Sequence, residues 1–196
     1  MQASRNSAPP ISGPLIVVLG PSGSGKDTLM SYARNELAAR DDVLFVRRTI
    51  TRPADAGSED HVPMTDVEFD AAIDRGDFSL TWAANGLRYG LPRTIKAHLG
   101  EGKPAIVNGS RGAWGVIRQV FPTAVAVEIR VDRSILAQRL QSRGRESAQE
   151  IEARLTRAAA LETGFEADVV IDNSGTLERA GLALVGYLTQ RADVQS

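Results

Sequence analysis

The segment that most constrains the fold is GPSGSGKDTLM, residues 20–30, which follows a short apolar run and opens an amphipathic helical pattern. A glycine-rich loop between a strand and a helix is the context that the phosphate-binding motif G-x-x-x-x-G-K-[ST] requires. Its backbone N–H groups surround a phosphate at the positive end of the helix, and its lysine reaches the outer phosphates. The alternative is a glycine-rich turn without a ligand.

We therefore predict that this loop binds a nucleotide and that Lys26 takes part in catalysis. The predicted nucleotide-binding residues are Gly20, Pro21, Ser22, Gly23, Ser24, Gly25, Lys26, Asp27 and Thr28.

The loop departs from its motif at Asp27, which stands where the motif has a hydroxyl that holds Mg²⁺. Enzymes with this loop combine that hydroxyl with an aspartate at the end of a later strand. Here the candidate strand is PAIVNGSRG, and it ends in Asn108 and Ser110 without a carboxylate. We interpret Asp27 as the charged magnesium ligand, with Thr28 offering a hydroxyl. The alternative is that Asp27 only favours the helix macrodipole.

The chain of 196 residues has the length of one domain, with 42% apolar residues, a formal net charge of −1 and no cysteine. This composition is typical of a globular protein, and it provides no global basic field to attract nucleic acid. The absence of cysteine excludes disulfides and thiolate metal sites. Residues 1–13 carry no apolar signal core and are expected to be disordered. We expect a cytoplasmic protein without a membrane partner, and the sequence does not specify an oligomeric state.

Short apolar runs alternate with helical patterns along most of the chain, which predicts an α/β fold with a mainly parallel sheet flanked by helices. The apolar runs are PLIVVLG, VLFVR, PAIVNG, AVAVEIRV and DVVIDN, and helices are predicted from the loop to about Arg40 and near 111–121, 133–143, 148–163 and 176–191. We assign residues 14–193 to a single domain.

Residues 49–95 interrupt this alternation. They contain the capping-box residues Thr65 and Glu68, a strand FSLTWAA, an Asn85-Gly86 turn and a returning LRYG. We predict a small α+β insertion that binds the second substrate.

An arginine-rich segment, residues 139–155, is predicted to form two helices joined near Gly144. Arg139 and Arg143 share one helical face, and Arg154 lies one turn into the next helix. Such a helical lid closes over a nucleotide and places guanidinium charge on a migrating phosphoryl group, so we predict that all three arginines are catalytic. The alternative is a solvated helix pair.

From about residue 14 to 190 the chain resembles the guanylate kinase family of nucleoside monophosphate kinases. The motifs that carry this resemblance are GPSGSGKDTL, ITRPADAGSE, TWAANGLRYG and RLQSRG, in the family's order and spacing. The resemblance implies a P-loop kinase fold and the use of ATP with Mg²⁺.

The departures from the family's motifs fall on groups that recognise guanine and its phosphate. Arg52 is kept, but Asp55 stands where the family has a second arginine, and Arg88 precedes Tyr89 where the family has two tyrosines. Thr81 stands where the family has an acidic residue that binds the guanine base. A guanine edge without its partner costs about 1 to 3 kcal/mol for each unpaired group. GMP is therefore a poor candidate acceptor.

The K-D-T loop and ITRPADAG instead resemble the ribose 1,5-bisphosphate phosphokinases of bacterial phosphonate breakdown. That resemblance implies ATP-dependent phosphorylation of a small phosphosugar, ribose 1,5-bisphosphate, to 5-phosphoribosyl 1-diphosphate (PRPP). The predicted substrate-binding residues are Arg48, Arg52, Arg88 and Tyr89, with Arg47 and Arg93 as further candidates. His61 is interpreted as a solvated loop histidine, and the alternative is that it contacts substrate or metal. Two alternatives stay open, a nucleoside monophosphate kinase with altered base recognition and a catalytically silent binding module.

Overall fold

The computed structural model describes residues 12–54, 59–142, 144, 147–162 and 165–194, and of residues 157–162 only the backbone. The strands are β1 (Leu15–Leu19), β2 (Leu44–Phe45), β3 (Thr49–Ile50), β4 (Val62–Pro63), β5 (Phe78–Ala84), β6 (Leu87–Pro92), β7 (Ala105–Asn108), β8 (Val125–Arg130) and β9 (Val169–Asp172). The helices are α1 (Lys26–Glu36), α2 (Asp66–Asp74), α3 (Ile95–Gly100), α4 (Arg111–Val120), α5 (Arg133–Ser142), α6 (Ala148–Glu162) and α7 (Leu177–Asp193).

The central sheet has the order β2-β7-β1-β8-β9, and every pair in it is parallel. Strand β1 lies in the middle and is fully buried, as a continuous apolar run predicts for a strand covered on both faces. Leu15, Val17 and Leu19 pack against α3 and α4, whereas Ile16 and Val18 pack against α1 and α7. The predicted α/β fold is confirmed.

The insertion forms a second sheet in the order β4-β3-β6-β5. Asn85 and Gly86 both have positive φ, 52° and 74°, which gives the tight hairpin that their sequence predicts. The capping box at the start of α2 is also confirmed, since the Thr65 hydroxyl accepts from the Glu68 N–H. Strands β3 and β4 were not predicted, because two residues are too few to show a period.

Helices α5 and α6 pack on each other through Leu136, Leu140, Ile151 and Leu155. Helix α6 is capped at its start, since the Glu150 N–H donates to the Ser147 hydroxyl at 3.3 Å. These contacts give the predicted helical lid an apolar core of its own.

The N-terminal tail, residues 1–11, lies outside the described residues. Gly13, inside the predicted tail, is buried and donates its N–H to the Leu99 carbonyl at 2.7 Å. Within the described ranges, no helix combines the length and apolar character needed to cross a membrane.

Candidate active site

The glycine-rich loop leaves the carboxyl end of β1 and ends at the first turn of α1. Gly20, Gly23 and Gly25 have φ values of 146°, 97° and 88°, which side chains rarely adopt. A Cβ at Gly25 would lie 2.6 Å from the Asn173 amide nitrogen, and one at Gly20 would lie 2.6 Å from the Ile129 carbonyl. Glycine is therefore required both by the backbone conformation and by the close approach of β8 and of the segment after β9.

Lys26 extends back along this loop, and its ammonium donates to the carbonyls of Gly20 and Pro21 at 2.9 and 3.0 Å. Burial lowers the pKa of this ammonium to about 8, with the charge of Asp27 opposing the shift and that of Arg48 adding to it. A phosphate oxygen beside Lys26 would restore the stabilisation that burial removes. The loop therefore places a poorly solvated cation where the motif predicts phosphate binding.

Asp27 and Asn108 meet directly at the carboxyl end of the sheet. The Asn108 amide donates to Asp27 Oδ1 at 2.7 Å, and the other amide atom, Oδ1, is buried without a hydrogen-bond partner among the described residues. Thr28 follows on α1 and is exposed. Ser110 does not join this contact, because its hydroxyl caps α4 by accepting from the Ala113 N–H.

The donor set at Asp27 fits Mg²⁺, which takes one or two carboxylates and completes its shell with phosphate oxygens and water. In the part of the chain that the structure describes, no three histidine, cysteine or carboxylate side chains converge as a metal cage. A groove beside Asp27 is also lined by Ser31, Arg34, Glu59 and Asp60. The site therefore suits a metal that arrives with a phosphate ligand.

Arg48, the residue before the insertion, is paired with Glu59, which lines this groove. Arg48 is 7% exposed and forms a bidentate ion pair with Glu59, at 2.8 and 2.5 Å. Its guanidinium carbon lies 5.0 Å from the ring centroid of Tyr89 and 5.9 Å from that of Trp82. The two rings stack because they form a cross-strand pair on one face of β5 and β6.

Arg52 lies two residues after the end of β3. Its Nε and one terminal nitrogen are buried and make no hydrogen bond within the described residues. Because a buried guanidinium N–H without an acceptor is costly, this arginine is suited to an anionic ligand.

Arg88 occupies the other face of β6. It forms an ion pair with Asp70 at 2.7 Å and stacks on Phe69 at 4.5 Å, both on α2. The structure therefore brings Arg48 and Tyr89 together and holds Arg88 against α2. Of the further candidates, Arg47 pairs with Asp60 at 2.8 Å and the Arg93 side chain is exposed.

The interpretation of His61 as a solvated loop residue is wrong. His61 is 3% exposed, and its two ring nitrogens lie 2.9 Å from the Glu59 carbonyl and 3.1 Å from the Arg52 carbonyl. The burial depends on the pairing of β4 with β3, two strands that the sequence pattern does not reveal.

Two of the predicted lid arginines contact the glycine-rich loop or its supports. Arg154 donates to the Ser22 hydroxyl at 2.5 Å, and Arg139 donates to the Asn173 carbonyl at 2.9 Å. The Asn173 amide in turn donates to the Ser24 carbonyl at 2.7 Å. Arg143 lies outside the described residues.

Sequence reasoning missed Asn173 and Glu59. Asn173 joins the lid to the loop only because β9 follows β8 in the sheet, and a sequence pattern does not give strand order. Glu59 was one acidic residue in a polar loop, with no periodicity to indicate that it would pair with Arg48.

The guanylate kinase family model matches residues 12–190 of this chain. Several curated proteins named ribose 1,5-bisphosphate phosphokinase are similar to it. The protein from Desulfomicrobium baculatum is 47% identical over 90% of this chain and 94% of its own. The protein from Agrobacterium fabrum is 42% identical over 91% of this chain and 97% of its own. The protein from Acidiphilium cryptum is 46% identical over 94% of this chain and 97% of its own.

Among solved structures, guanylate kinase from Anaplasma phagocytophilum matches with a TM-score of 0.65 over 92% of this chain and 87% of its own. The sequences of these two proteins are 19% identical, so this likeness concerns the fold alone.

Proposed function

Since this chain belongs to the guanylate kinase family and is similar to ribose 1,5-bisphosphate phosphokinases over nearly its whole length, we propose that it phosphorylates ribose 1,5-bisphosphate. The phosphoryl donor is ATP, and the products are 5-phosphoribosyl 1-diphosphate and ADP. The observation that carries the choice of acceptor is the 47% identity to a protein of that name over 90% of the chain. We expect the reaction in the cytoplasm, with a small phosphosugar as partner and neither nucleic acid nor membrane.

The alternatives are not favoured. A guanylate-type kinase needs a group that binds the guanine base. The residue at that position here is Thr81, which is exposed on β5 and has no carboxylate. A silent binding module has no need of Lys26 in the loop, or of Arg154 in contact with Ser22.

The proposed chemistry requires placement and charge more than proton transfer. An oxygen of the anomeric phosphate attacks the γ-phosphorus, a new O–P bond forms, and the bond from the γ-phosphorus to the bridging oxygen of ATP breaks to release ADP. The attacking oxygen is already ionised at neutral pH, so no general base is needed. This agrees with a site whose prominent side chains are lysine, arginine and carboxylates.

On the nucleotide side, the glycine-rich loop and Lys26 would hold the β- and γ-phosphates. Asp27 would hold Mg²⁺, oriented by the Asn108 amide and assisted by the hydroxyl of Thr28. When bound, the metal neutralises phosphate charge.

The lid would supply charge to the migrating group. We assign this role to Arg139 and Arg154, whose contacts with Asn173 and Ser22 place them beside the loop, and to Arg143 from its position in the sequence.

On the acceptor side, Arg52 is the proposed main phosphate ligand because its buried N–H groups lack acceptors among the described residues. Arg48 is fixed in position by its bidentate ion pair with Glu59, which also neutralises most of its charge, and it would contact the acceptor from there. Tyr89 and Trp82 form the apolar floor under Arg48. Arg88 contributes only if it exchanges Asp70 for a phosphate of the substrate.

The identity of the product tests the proposed function. Incubation with ATP, Mg²⁺ and ribose 1,5-bisphosphate should convert the anomeric phosphate signal in ³¹P NMR into two coupled doublets, because a diphosphate forms there. The 5-phosphate signal should persist as an uncoupled ester. Transfer to a sugar hydroxyl would instead add a third uncoupled ester signal, and ATP hydrolysis alone would release inorganic phosphate. Either of these outcomes would contradict the proposal.

The lowered pKa of Lys26 predicts a pH dependence of nucleotide binding. In the free protein the ammonium loses its proton as pH rises through about 8, whereas phosphate oxygens raise its pKa in the complex. Binding is therefore linked to proton uptake above this pH, and affinity for an ATP analogue should fall by up to about tenfold per pH unit. Calorimetric titrations from neutral to alkaline pH at saturating Mg²⁺ measure this, and Lys26→Met is the control. An equal slope in both proteins would exclude Lys26 as the titrating group.

A further inference from the structure

His61 is a buried titratable residue to which the proposed chemistry assigns no role. It lies immediately before β4, and its ring fills the space between two backbone carbonyls, those of Glu59 and Arg52, at 2.9 and 3.1 Å. A protonated imidazole donates to both, and a neutral ring donates to one. The ring therefore links two points of the main chain that are seven residues apart.

Each of the two linked residues governs an arginine of the acceptor site. The Glu59 carboxylate holds the Arg48 guanidinium in a bidentate pair. Arg52 itself presents buried N–H groups without acceptors in the described part of the chain.

The anchor for this link is the second sheet. The N–H of Val62, the residue after His61, donates to the Arg48 carbonyl at 2.9 Å, so the main chain beside the ring is paired to β3. The His61 carbonyl also accepts from the Arg47 side chain at 3.1 Å. Because the His61 backbone is fixed to the second sheet, the bonds of its ring hold the main chain at Arg52 and Glu59 in place relative to that sheet.

We propose that His61 is a positioning residue for the acceptor. It sets the backbone of Arg52 directly and the side chain of Arg48 through Glu59, so that both guanidinium groups are in place before the phosphosugar binds. This inference rests on the proposed function, because it assigns the two arginines to the acceptor. Misplacement of binding groups by about 1 Å costs up to about 100-fold, so loss of the link should be visible in acceptor kinetics.

The test compares His61→Ala and His61→Gln with His98→Ala. His98 is a matched control because its Nε2 also bonds a backbone carbonyl, that of Pro104 at 3.0 Å, on a different element, α3. His61→Ala should raise KM for ribose 1,5-bisphosphate about 10- to 100-fold and leave KM for ATP nearly unchanged. His61→Gln retains an N–H donor and should give an intermediate value. His98→Ala should leave both constants unchanged.

Melting temperatures of all variants separate positioning from stability. A purely structural histidine would lower the melting temperature without raising the acceptor KM above that of His98→Ala, and this result would overturn the inference. Parallel increases in both KM values would overturn it as well. If His61→Ala does not fold, the same criteria apply to His61→Gln. A wild-type protein that does not act on ribose 1,5-bisphosphate would instead refute the proposed function, and the inference with it.

Discussion

Asp27→Ser is expected to lower ATP turnover at cellular magnesium by more than about 100-fold, and adding Asn108→Asp is expected to restore much of that loss. Mutating a residue that only orients a metal ligand lowers metal affinity or activity by about 10- to 100-fold. Asp27 is the proposed ligand itself, so its loss should have a larger effect. The serine variant should still fold, because serine is accepted at a helix start and the lost dipole contribution is at most about 1 kcal/mol.

The restoration follows from the contact between Asp27 and Asn108, whose side chains are 2.7 Å apart. In the double variant the carboxylate moves from the loop to the strand end, and the hydroxyl takes its usual place in the motif. The single variant Asn108→Asp should behave differently. It places two carboxylates in contact, which raises the pKa of one of them and destabilises the protein.

Two measurements test the exchange of Asp27 and Asn108. Turnover is titrated with Mg²⁺ in wild type, both single variants and the double variant, and Mn²⁺ binding with ADP is followed by electron paramagnetic resonance. The metal-binding signal should weaken in Asp27→Ser and return in the double variant. Superimposable magnesium curves for wild type and Asp27→Ser would mean that Asp27 only stabilises the start of α1.

The parts of this molecule that were predictable from the sequence are those encoded locally. The Asn85-Gly86 turn, the Thr65 and Glu68 cap and the loop glycines each require particular residues at fixed spacing. The buried run of β1 likewise shows which strand is covered on both faces.

The parts that could not be predicted depend on which elements become neighbours. Arg88 and Tyr89 are adjacent in sequence, yet one contacts α2 and the other Arg48, because successive residues of a strand face opposite sides. The burial of His61 requires the pairing of β3 with β4, which are two residues long each. The sequence did indicate that Asp27 replaces the carboxylate missing at Asn108, but not that the two side chains touch.

The largest expected effect concerns the choice of acceptor. Ribose 1,5-bisphosphate carries a phosphate at each end, whereas a nucleoside monophosphate carries one phosphate and a base. A site built to bind a polar group rejects analogues that lack it by about 10,000-fold or more. Arg52 supplies buried N–H groups for phosphate, and Thr81 supplies no carboxylate for guanine.

The most direct test of the proposed function is kcat/KM measured by ADP release with ribose 1,5-bisphosphate, GMP, AMP and dTMP, at saturating ATP and Mg²⁺. We predict that the value for ribose 1,5-bisphosphate exceeds that for each nucleotide by about 10,000-fold. Arg52→Ala should reduce the ribose 1,5-bisphosphate value more than Arg93→Ala, a control at an exposed arginine of the same insertion. A kcat/KM for GMP equal to or above that for ribose 1,5-bisphosphate would contradict the proposed function and identify the protein as a nucleotide kinase.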